Sequence, residues 1–235
     1  MARGLATSKL YRTVYFRESE PMNQAAPRRG EQRRGAELRR HILLVAKDVF
    51  LETGYERASM DTVAARAGTS KRSLYAHFAS KDKLFLAVLA LVRELYLGRL
   101  KTPDAYAADP AEAVARFCGR FLQLMVWEPQ VRTCRLSITE AERLPASSNA
   151  YFDAIFAGAY ERLGAYLADR YAMEPAAGAA LAADLLDRTV LPRLFRTLLN
   201  VDAASVREGP PDDAALATDV DLDAIRAMVA SMLPG

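Results

Sequence analysis

Cysteine is scarce in this chain, with two residues among 235. Cys118 and Cys134 are too few for the disulfide framework of a small secreted protein. Both lie in apolar patterns with helical spacing, so we interpret them as core residues. Arg132 and Arg135 flank Cys134, and cationic neighbours favour the thiolate form. A redox switch at Cys134 therefore stays as the alternative.

Histidine is equally scarce, and none follows His77. The sequence also lacks a nucleophile elbow, a phosphate-binding glycine loop and any cluster of residues with metal-ligand spacing. Carboxylate-based catalysis is left open, although the acidic residues do not converge in any motif. We therefore predict that the protein is not an enzyme and binds no cofactor or metal.

Long apolar runs are absent too. The run Leu84–Val92 falls short of the ~20 apolar residues that a transmembrane helix needs. The first residues lack the apolar core of a signal peptide. Since 51% of the residues are hydrophobic, the composition also argues against overall disorder. We expect a soluble cytoplasmic protein without a membrane partner.

Positive charge is concentrated at the start of the sequence. Residues 1–40 contain ten Lys or Arg and four Asp or Glu, a net charge of +6, whereas the whole chain carries +3. Residues 1–34 show no sustained periodicity, and we interpret them as a flexible basic tail. Its arginines either form an arm that follows DNA phosphates or enters a minor groove, or belong to a merely solvated tail. Those nearest the first predicted helix are Arg28, Arg29, Arg33 and Arg34.

The most informative pattern is the segment Ser59–Lys83, which reads SMDTVAARAGTSKRSLYAHFASKDK. Ser59 and Ser70 each precede a short helical pattern and are natural N-caps, because the serine hydroxyl accepts hydrogen bonds from amides of the first turn. Gly68 separates the two patterns, where the chain must turn with a φ that glycine adopts cheaply. Ala64 is small where the helices would cross, and Leu74 anchors the second helix. This spacing predicts a helix-turn-helix.

The surrounding run Leu38–Val88 resembles the DNA-binding domain of TetR-type transcriptional regulators. The most diagnostic part is Leu74-Tyr75-x-His77-Phe78, followed by Ser80-Lys81 and an acidic residue. The resemblance covers about a fifth of the chain. It implies a dimeric, all-helical regulator with a DNA-binding head and a variable ligand-binding body.

We therefore predict an all-α fold with three regions. They are a basic tail (1–34), a three-helix head with the helix-turn-helix (35–81) and a larger helical ligand-binding and dimerisation domain (82–235). The body also resembles, less specifically, that of the AefR-like subgroup. The family resemblance implies a four-helix bundle between two subunits, formed by residues 175–199 and 221–232. The positions expected to be buried there are Leu181, Leu185, Leu186, Ile225, Met228 and Val229.

Several side chains of the helix-turn-helix suit contacts with DNA. Arg72 lies in the first turn of the second helix, which reaches base edges in such motifs, and can bind guanine bidentately. The family often has glycine at this position, so we expect Arg72 to contribute to this protein's own operator preference. A solvated charge stays the alternative for Arg72, packing for Tyr75 and a structural role for His77. The predicted DNA-contacting set is Thr62, Thr69, Ser70, Lys71, Arg72, Ser73, Tyr75, His77 and Lys81.

Aromatic and methionine side chains recur at helical spacing in the body. They form either core or the lining of a pocket between bundle helices. The predicted lining is Phe117, Phe121, Met125, Trp127, Phe152, Phe156 and Tyr160. We expect surface positions for four polar residues that would otherwise supply a polar contact to the ligand, namely Arg120, Gln123, Arg135 and Glu140.

Taken with the resemblance, these features predict a transcriptional regulator that binds a palindromic double-stranded operator as a homodimer. Repression is the usual mode of the family, with release by a small apolar or aromatic effector. The alternative is an activator, or a regulator without a small-molecule ligand.

Overall fold

A computed structural model of the chain describes residues 29–234. The α-helices in this part are α1 (Arg29–Arg57), α2 (Met60–Arg66), α3 (Lys71–His77), α4 (Lys81–Leu97), α5 (Pro110–Met125), α6 (Glu128–Thr139), α7 (Pro145–Phe152), α8 (Gly158–Arg170), α9 (Pro175–Thr189), α10 (Leu191–Leu198), α11 (Leu216–Asp219) and α12 (Leu222–Met232). Within residues 29–234, β-type pairing is limited to an isolated bridge between Trp127 and Ser205. The predicted all-α fold is confirmed. None of the described helices is both long and apolar enough to cross a membrane.

Helix α1 begins at Arg29 rather than near Gly35, so the last residues of the predicted tail are helical. The tail prediction for residues 1–28 lies outside the described residues. Gly54 has a φ of 76° and a ψ of 168°, which no α-helix contains. The long helix therefore ends at Gly54, and one further turn leads to Arg57.

The helix-turn-helix forms as the local signals predict. Ser59 Oγ accepts a hydrogen bond from the Thr62 amide at 3.0 Å, and Ser70 Oγ accepts one from the Ser73 amide at 3.1 Å. Gly68 has a φ of +60°, the left-handed conformation that favours glycine. Both N-caps and the glycine turn are confirmed.

An aromatic cluster holds the end of α1 against α4. The ring centre of Phe85 lies 5.1 Å from that of Phe50 and 5.1 Å from that of Tyr55, both in edge-to-face geometry. All three side chains are buried. Such pairs add about 0.5–1.5 kcal/mol beyond area burial, so the cluster fixes the corner from which α2 starts.

Helix α5 lies at the centre of the body and is packed against α8, α9 and α12. Its side chains are buried on all sides, including those of Arg120 and Gln123. Arg120 Nε lies 3.0 Å from Asp213 Oδ1, and Gln123 Nε2 donates to Asp219 Oδ2 at 2.6 Å. The expectation of surface positions is wrong for these two residues, because acidic partners in the loop before α11 and in α11 itself allow them to be buried.

Two breaks divide the helices of the body. A π-helical turn at Asp153–Ala157 separates α7 from α8. Pro192 lies at the second break, where α9 ends at Thr189 and α10 starts at Leu191. Proline cannot continue the hydrogen-bond ladder of a preceding helix, but it is tolerated in a first turn.

The positions expected to be buried between subunits are mostly buried within one chain. Leu185, Leu186, Ile225 and Val229 are at most 5% exposed. Leu181 is partly exposed, and Met228 is 36% exposed. Helices α9 and α12 thus use these side chains to pack on each other and on α5.

Candidate DNA-binding face and ligand cavity

Helix α3 presents one face to the core and the opposite face to solvent. Leu74 and Phe78 are buried, whereas Lys71, Arg72 and Tyr75 are exposed. Among residues 29–234, Arg72 has no hydrogen-bond or ion-pair partner. Its guanidinium is therefore available to a ligand outside the chain.

Lys71 differs from Arg72 because it has a partner. Its Nζ lies 2.8 Å from Asp61 Oδ1, with side-chain exposures of 60% and 67%. The hydrogen bond and the charge of Asp61 raise the pKa of Lys71. Such exposed pairs are weak, so a ligand outside the chain would have to compete with Asp61 for Lys71 but would find Arg72 unpaired.

Several hydroxyl groups of the predicted set also organise the local backbone. Thr62 Oγ1 lies 2.8 Å from Ser59 Oγ, and Ser70 Oγ caps α3 through the Ser73 amide. Thr69 and Ser73 are partly exposed beside the start of α3. These groups surround the first turn of α3, and their contacts with phosphates stay predictions.

Tyr75 and His77 occupy the same helix with different surroundings. Tyr75 is 43% exposed. His77 is partly buried, and its ring centre lies 6.3 Å from that of Phe78. The geometry favours an outward role for Tyr75 and is compatible with both roles proposed for His77.

Lys81 is engaged by the backbone at the end of α1. Its Nζ donates to the carbonyl oxygens of Tyr55, Glu56 and Ala58 at 3.0, 3.3 and 3.1 Å. It also lies 4.2 Å from the centre of the Tyr55 ring. A lysine ammonium has three donors, and three carbonyl groups occupy them here. This arrangement favours a capping role for Lys81 over the predicted phosphate contact.

A cavity of about 590 Å³ lies among α6, α7, α8 and α10 in the body. Its described lining contains no charged side chain and consists of Cys134, Ser137, Ile138, Ala141, Ser148, Tyr151, Phe152, Phe156, Tyr160, Leu191, Leu194, Phe195 and Leu198. Ile138, Phe152 and Phe195 are 60%, 56% and 63% exposed, so the cavity opens to solvent beside an apolar rim. This volume suits a small organic molecule.

Most polar atoms of the cavity wall are bound within the chain. Tyr160 Oη donates to Asp187 Oδ1 at 2.6 Å, and burial followed by this contact raises the pKa of Tyr160. Burial also raises the pKa of the Cys134 thiol, which favours the interpretation as a core residue. Ser137 Oγ is the exception, since it is buried and has no hydrogen-bond partner within residues 29–234.

The comparisons with known proteins concern first the head. Residues 42–88 match the family of bacterial regulatory proteins, tetR family. This part of the chain therefore has the sequence of a TetR-family DNA-binding domain. The transcriptional activator FasR of Mycolicibacterium smegmatis is 45% identical over 73 residues, which cover 31% of this chain and 33% of FasR. The match thus spans about a third of the length of this relative.

Solved structures extend the similarity beyond the head to most of the fold. A TetR-family regulator from Mesorhizobium loti superposes with a TM-score of 0.70 at 20% identity, covering 84% of this chain and 97% of that protein. The multidrug-binding protein EbrR in complex with proflavin superposes with a TM-score of 0.51 at 25% identity, covering 83% of this chain and 99% of EbrR. The chain therefore shares its fold with these solved structures over more than four fifths of its length.

The cavity contains three of the predicted lining residues, namely Phe152, Phe156 and Tyr160. The structure places the other four in the closed core, at 0–8% exposure: Phe117, Phe121, Met125 and Trp127. Three of these four lie on α5, whose faces are covered by neighbouring helices.

Sequence reasoning missed the wall that α10 contributes. Leu191, Leu194, Phe195 and Leu198 follow a spacing of three, one and three residues, which places them on one helical face. This stripe was a usable signal, but periodicity alone does not tell a cavity wall from a core contact.

Proposed function

We propose that this TetR-family regulator binds a palindromic DNA operator as a homodimer in the cytoplasm and represses transcription until a small apolar or aromatic effector enters the cavity. Residues 35–81 would form the DNA-binding domain, and residues 82–235 the ligand-binding and dimerisation domain. The basic residues 1–34 would add a salt-dependent attraction to DNA. The observation that carries the proposal is the solvent-facing, unpaired Arg72 on a capped helix of a helix-turn-helix.

In this proposal Arg72 reads a base and the neighbouring polar groups hold phosphates. An unpaired guanidinium in the first turn of α3 can bind guanine O6 and N7 together. Lys71 would contact the DNA after its ion pair with Asp61 breaks. Thr62, Thr69 and Tyr75 supply hydroxyl donors that set the position of the helix on the duplex.

Dimerisation is supported by apolar side chains left exposed near the end of α10. Leu199 is 61% exposed and Val201 is 60% exposed, and such patches often mark protein interfaces. A two-fold axis would place two copies of α3 about 34 Å apart, the spacing of successive major grooves.

The effector part of the proposal is supported by the uncharged cavity and by the likeness to EbrR, which binds proflavin. Activation is a second candidate, since FasR is a transcriptional activator. Because the match with FasR covers only 31% of this chain, we retain repression as the main proposal.

The base-reading role is tested with Arg72→Ala on a duplex selected by the wild-type protein from a random library. We expect a loss of about 1–3 kcal/mol in binding free energy and relaxed preference at one base position. Arg170→Ala, an exposed arginine of α8, is the matched control and should bind normally. Equal weakening on every sequence would assign Arg72 to a phosphate instead.

The dimer is tested with Leu199→Asp in sedimentation experiments, together with operator binding. A charge within an apolar interface should shift the protein towards monomer and weaken operator binding. Val206→Asp, at a position that is 79% exposed, is the control. A dimer unaffected by Leu199→Asp would place the interface elsewhere.

Effector control is tested by a thermal-shift screen of apolar aromatic compounds, followed by operator binding with each stabilising compound. Preferential binding to the DNA-free form must lower operator affinity by linkage. If no stabilising compound alters operator affinity, the proposal that an effector controls operator binding is wrong. Transcription in vitro, with and without the protein, decides between repression and activation.

A further inference from the structure

The cavity contains one buried polar group that the chain itself does not use. Ser137 is 2% exposed, lines the cavity and has an Oγ without a hydrogen-bond partner among residues 29–234. Two nearby serines are satisfied, since Ser147 Oγ donates to Leu144 O and Ser148 Oγ donates to Ser137 O, each at 2.8 Å. Buried hydroxyl groups are normally paired, so the unpaired Ser137 suggests a ligand group.

The surroundings of Ser137 disfavour a charged ligand. No Lys, Arg, Asp or Glu is among the described residues that line the cavity. The nearby carboxylate of Asp187 accepts a hydrogen bond from Tyr160. Burying an ion without a counter-ion is costly, and this holds for both anions and cations.

We propose that the cavity takes a neutral aromatic ligand with one hydrogen-bond acceptor, such as a ketone oxygen, to which Ser137 Oγ donates. The aromatic body would lie against Phe156 and Phe195, and the acceptor would point towards α6. This inference deepens the proposed effector function and rests on the same cavity. It adds that the ligand is neutral and that Ser137 orients it.

The test measures binding to the full chain by calorimetry with four probes of similar size. They are biphenyl, 4-acetylbiphenyl, biphenyl-4-carboxylate and proflavin. We expect 4-acetylbiphenyl to bind most tightly. Ser137→Ala should weaken 4-acetylbiphenyl about three- to tenfold, the range for one hydrogen bond, and leave biphenyl unchanged.

The control variant is Ser147→Ala, since Ser147 is fully buried and bonded to Leu144. It should leave all four affinities unchanged. If proflavin or biphenyl-4-carboxylate binds most tightly, the proposal that the ligand is neutral is wrong. Equal losses for biphenyl and its ketone, or no binding of any probe, would overturn the role of Ser137. Because binding is measured without DNA, its failure is separate from a failure of operator control.

A second set of contacts joins the cavity wall to the helix-turn-helix. Arg143, in the turn between α6 and α7, places its guanidinium 3.8 Å from the centre of the Tyr55 ring. It forms ion pairs with Glu140 at 2.8 Å and Glu56 at 3.3 Å. Tyr55 Oη donates in turn to Asp82 at the start of α4.

These contacts differ from ordinary surface pairs because two of the partners are buried. Tyr55 is 3% exposed and Glu140 is 4% exposed. Burial strengthens the cation–π contact, and loss of Arg143 would leave the buried Glu140 carboxylate without its cation, which is costly. The expectation of a surface position is wrong for Glu140 as well, because Arg143 neutralises it. The contacts therefore hold the turn after α6 to the corner from which α2 starts.

The same turn forms part of the cavity wall. Ile138 and Ala141 line the cavity and lie on either side of Glu140 in the sequence. Arg135, one turn earlier, donates to the carbonyl oxygens of Thr197 and Leu198 at 2.7 and 2.9 Å. Helix α6 is thus tied to α10 at the cavity and to α1 at its end.

We infer that Arg143 couples the cavity to the helix-turn-helix. A ligand that displaces Ile138 or Ala141 moves Glu140 and Arg143 and so loosens the corner at Tyr55. This inference rests on the proposed effector control of the cavity.

A double-mutant cycle tests this coupling without any ligand. Ala141→Phe fills the cavity beside Glu140, and Arg143→Ala removes the link. The measurement is the hydrogen-exchange rate of amides in residues 59–78. In the wild-type background we expect Ala141→Phe to raise this rate at least about threefold. In a protein that already carries Arg143→Ala, the same substitution should have little effect, because the effects of coupled sites are not additive.

Ile138→Phe, at an exposed position, repeats the cycle if Ala141→Phe does not fold. Arg132→Ala is the control, because Arg132 lies on α6, the helix before that turn, and pairs with Glu128. It should not change the response to Ala141→Phe. Additive effects, or no response of the head to either cavity variant, would overturn the coupling. The exchange measurement decides this even if the protein binds no operator.

Discussion

The helix-turn-helix and the body place their functional groups in opposite ways. The segment Met60–His77 turns its polar groups outwards, with Arg72 exposed on a helix anchored by Leu74. The body turns an uncharged surface inwards around about 590 Å³. In the proposed function the first region acts through charge at a surface, so its binding should depend strongly on salt. The second region would bind its ligand through shape and burial, which salt affects little.

The two regions also differ in what holds them together. The helix-turn-helix depends on local devices, such as the hydroxyl caps of Ser59 and Ser70 and the turn at Gly68. The body depends on close packing of distant segments, such as α8 on α9. Substitutions at each kind of feature test whether this difference is real.

The largest effect is expected for Leu74→Ala in the helix-turn-helix. Leu74 is fully buried, and such truncations cost about 2–5 kcal/mol in the free energy of unfolding. Urea denaturation gives this value. Phe195→Ala at the cavity rim, 63% exposed, should cost less than about 0.5 kcal/mol. Similar losses for both variants would contradict the difference between the regions.

Gly178→Ala tests the close packing of the body. A Cβ atom at Gly178 would lie 2.7 Å from the carbonyl oxygen of Gly164 and 2.9 Å from Ala168 Cβ. Backbone atoms cannot move aside cheaply, so we expect a loss of about 1–3 kcal/mol by thermal or urea unfolding. Gly35→Ala in α1 has nothing within 4 Å and should instead stabilise by about 0.5–1 kcal/mol. A neutral Gly178→Ala would mean that α8 and α9 are less tightly packed.

Gly68→Ala tests the local turn. An alanine at a φ of +60° costs about 1–2 kcal/mol, measurable as a lower unfolding free energy. Gly68→Asn is the matched variant, since asparagine tolerates this conformation better. Equal losses for alanine and asparagine would point to a steric cause rather than to backbone conformation.

The smallest effect concerns pH and the body alone. Hydrogen bonds from Arg226 lower the pKa of Glu112 from 4.5 to about 2. Its contribution to stability is therefore complete above pH 4.5 and is lost as the pH falls towards 2. Glu112→Gln should lower the melting temperature at pH 7, and the difference from wild type should shrink between pH 4.5 and 2. Asp223→Asn, with a 91% exposed side chain, should show almost no such difference.

Sequence reasoning was most successful where the cause of structure is local. Caps, the glycine turn and the break at Pro192 depend on residues within a few positions of each other, so the sequence displays them directly. The position of Lys81 was not visible in this way, because its acceptors at Tyr55, Glu56 and Ala58 lie more than twenty residues earlier. The burial of Arg120 depends in the same way on Asp213.

By itself the sequence determined the all-α class, the helix-turn-helix and the outward position of Arg72, because helical periodicity and capping are properties of short segments. Only the tertiary structure decided which apolar side chains form a cavity. Phe121 and Phe156 have the same hydrophobic character, and their ring centres lie 5.9 Å apart, yet only Phe156 lines the cavity. The difference arises because distant helices cover α5 completely and leave a gap between α6 and α10, which no local pattern encodes.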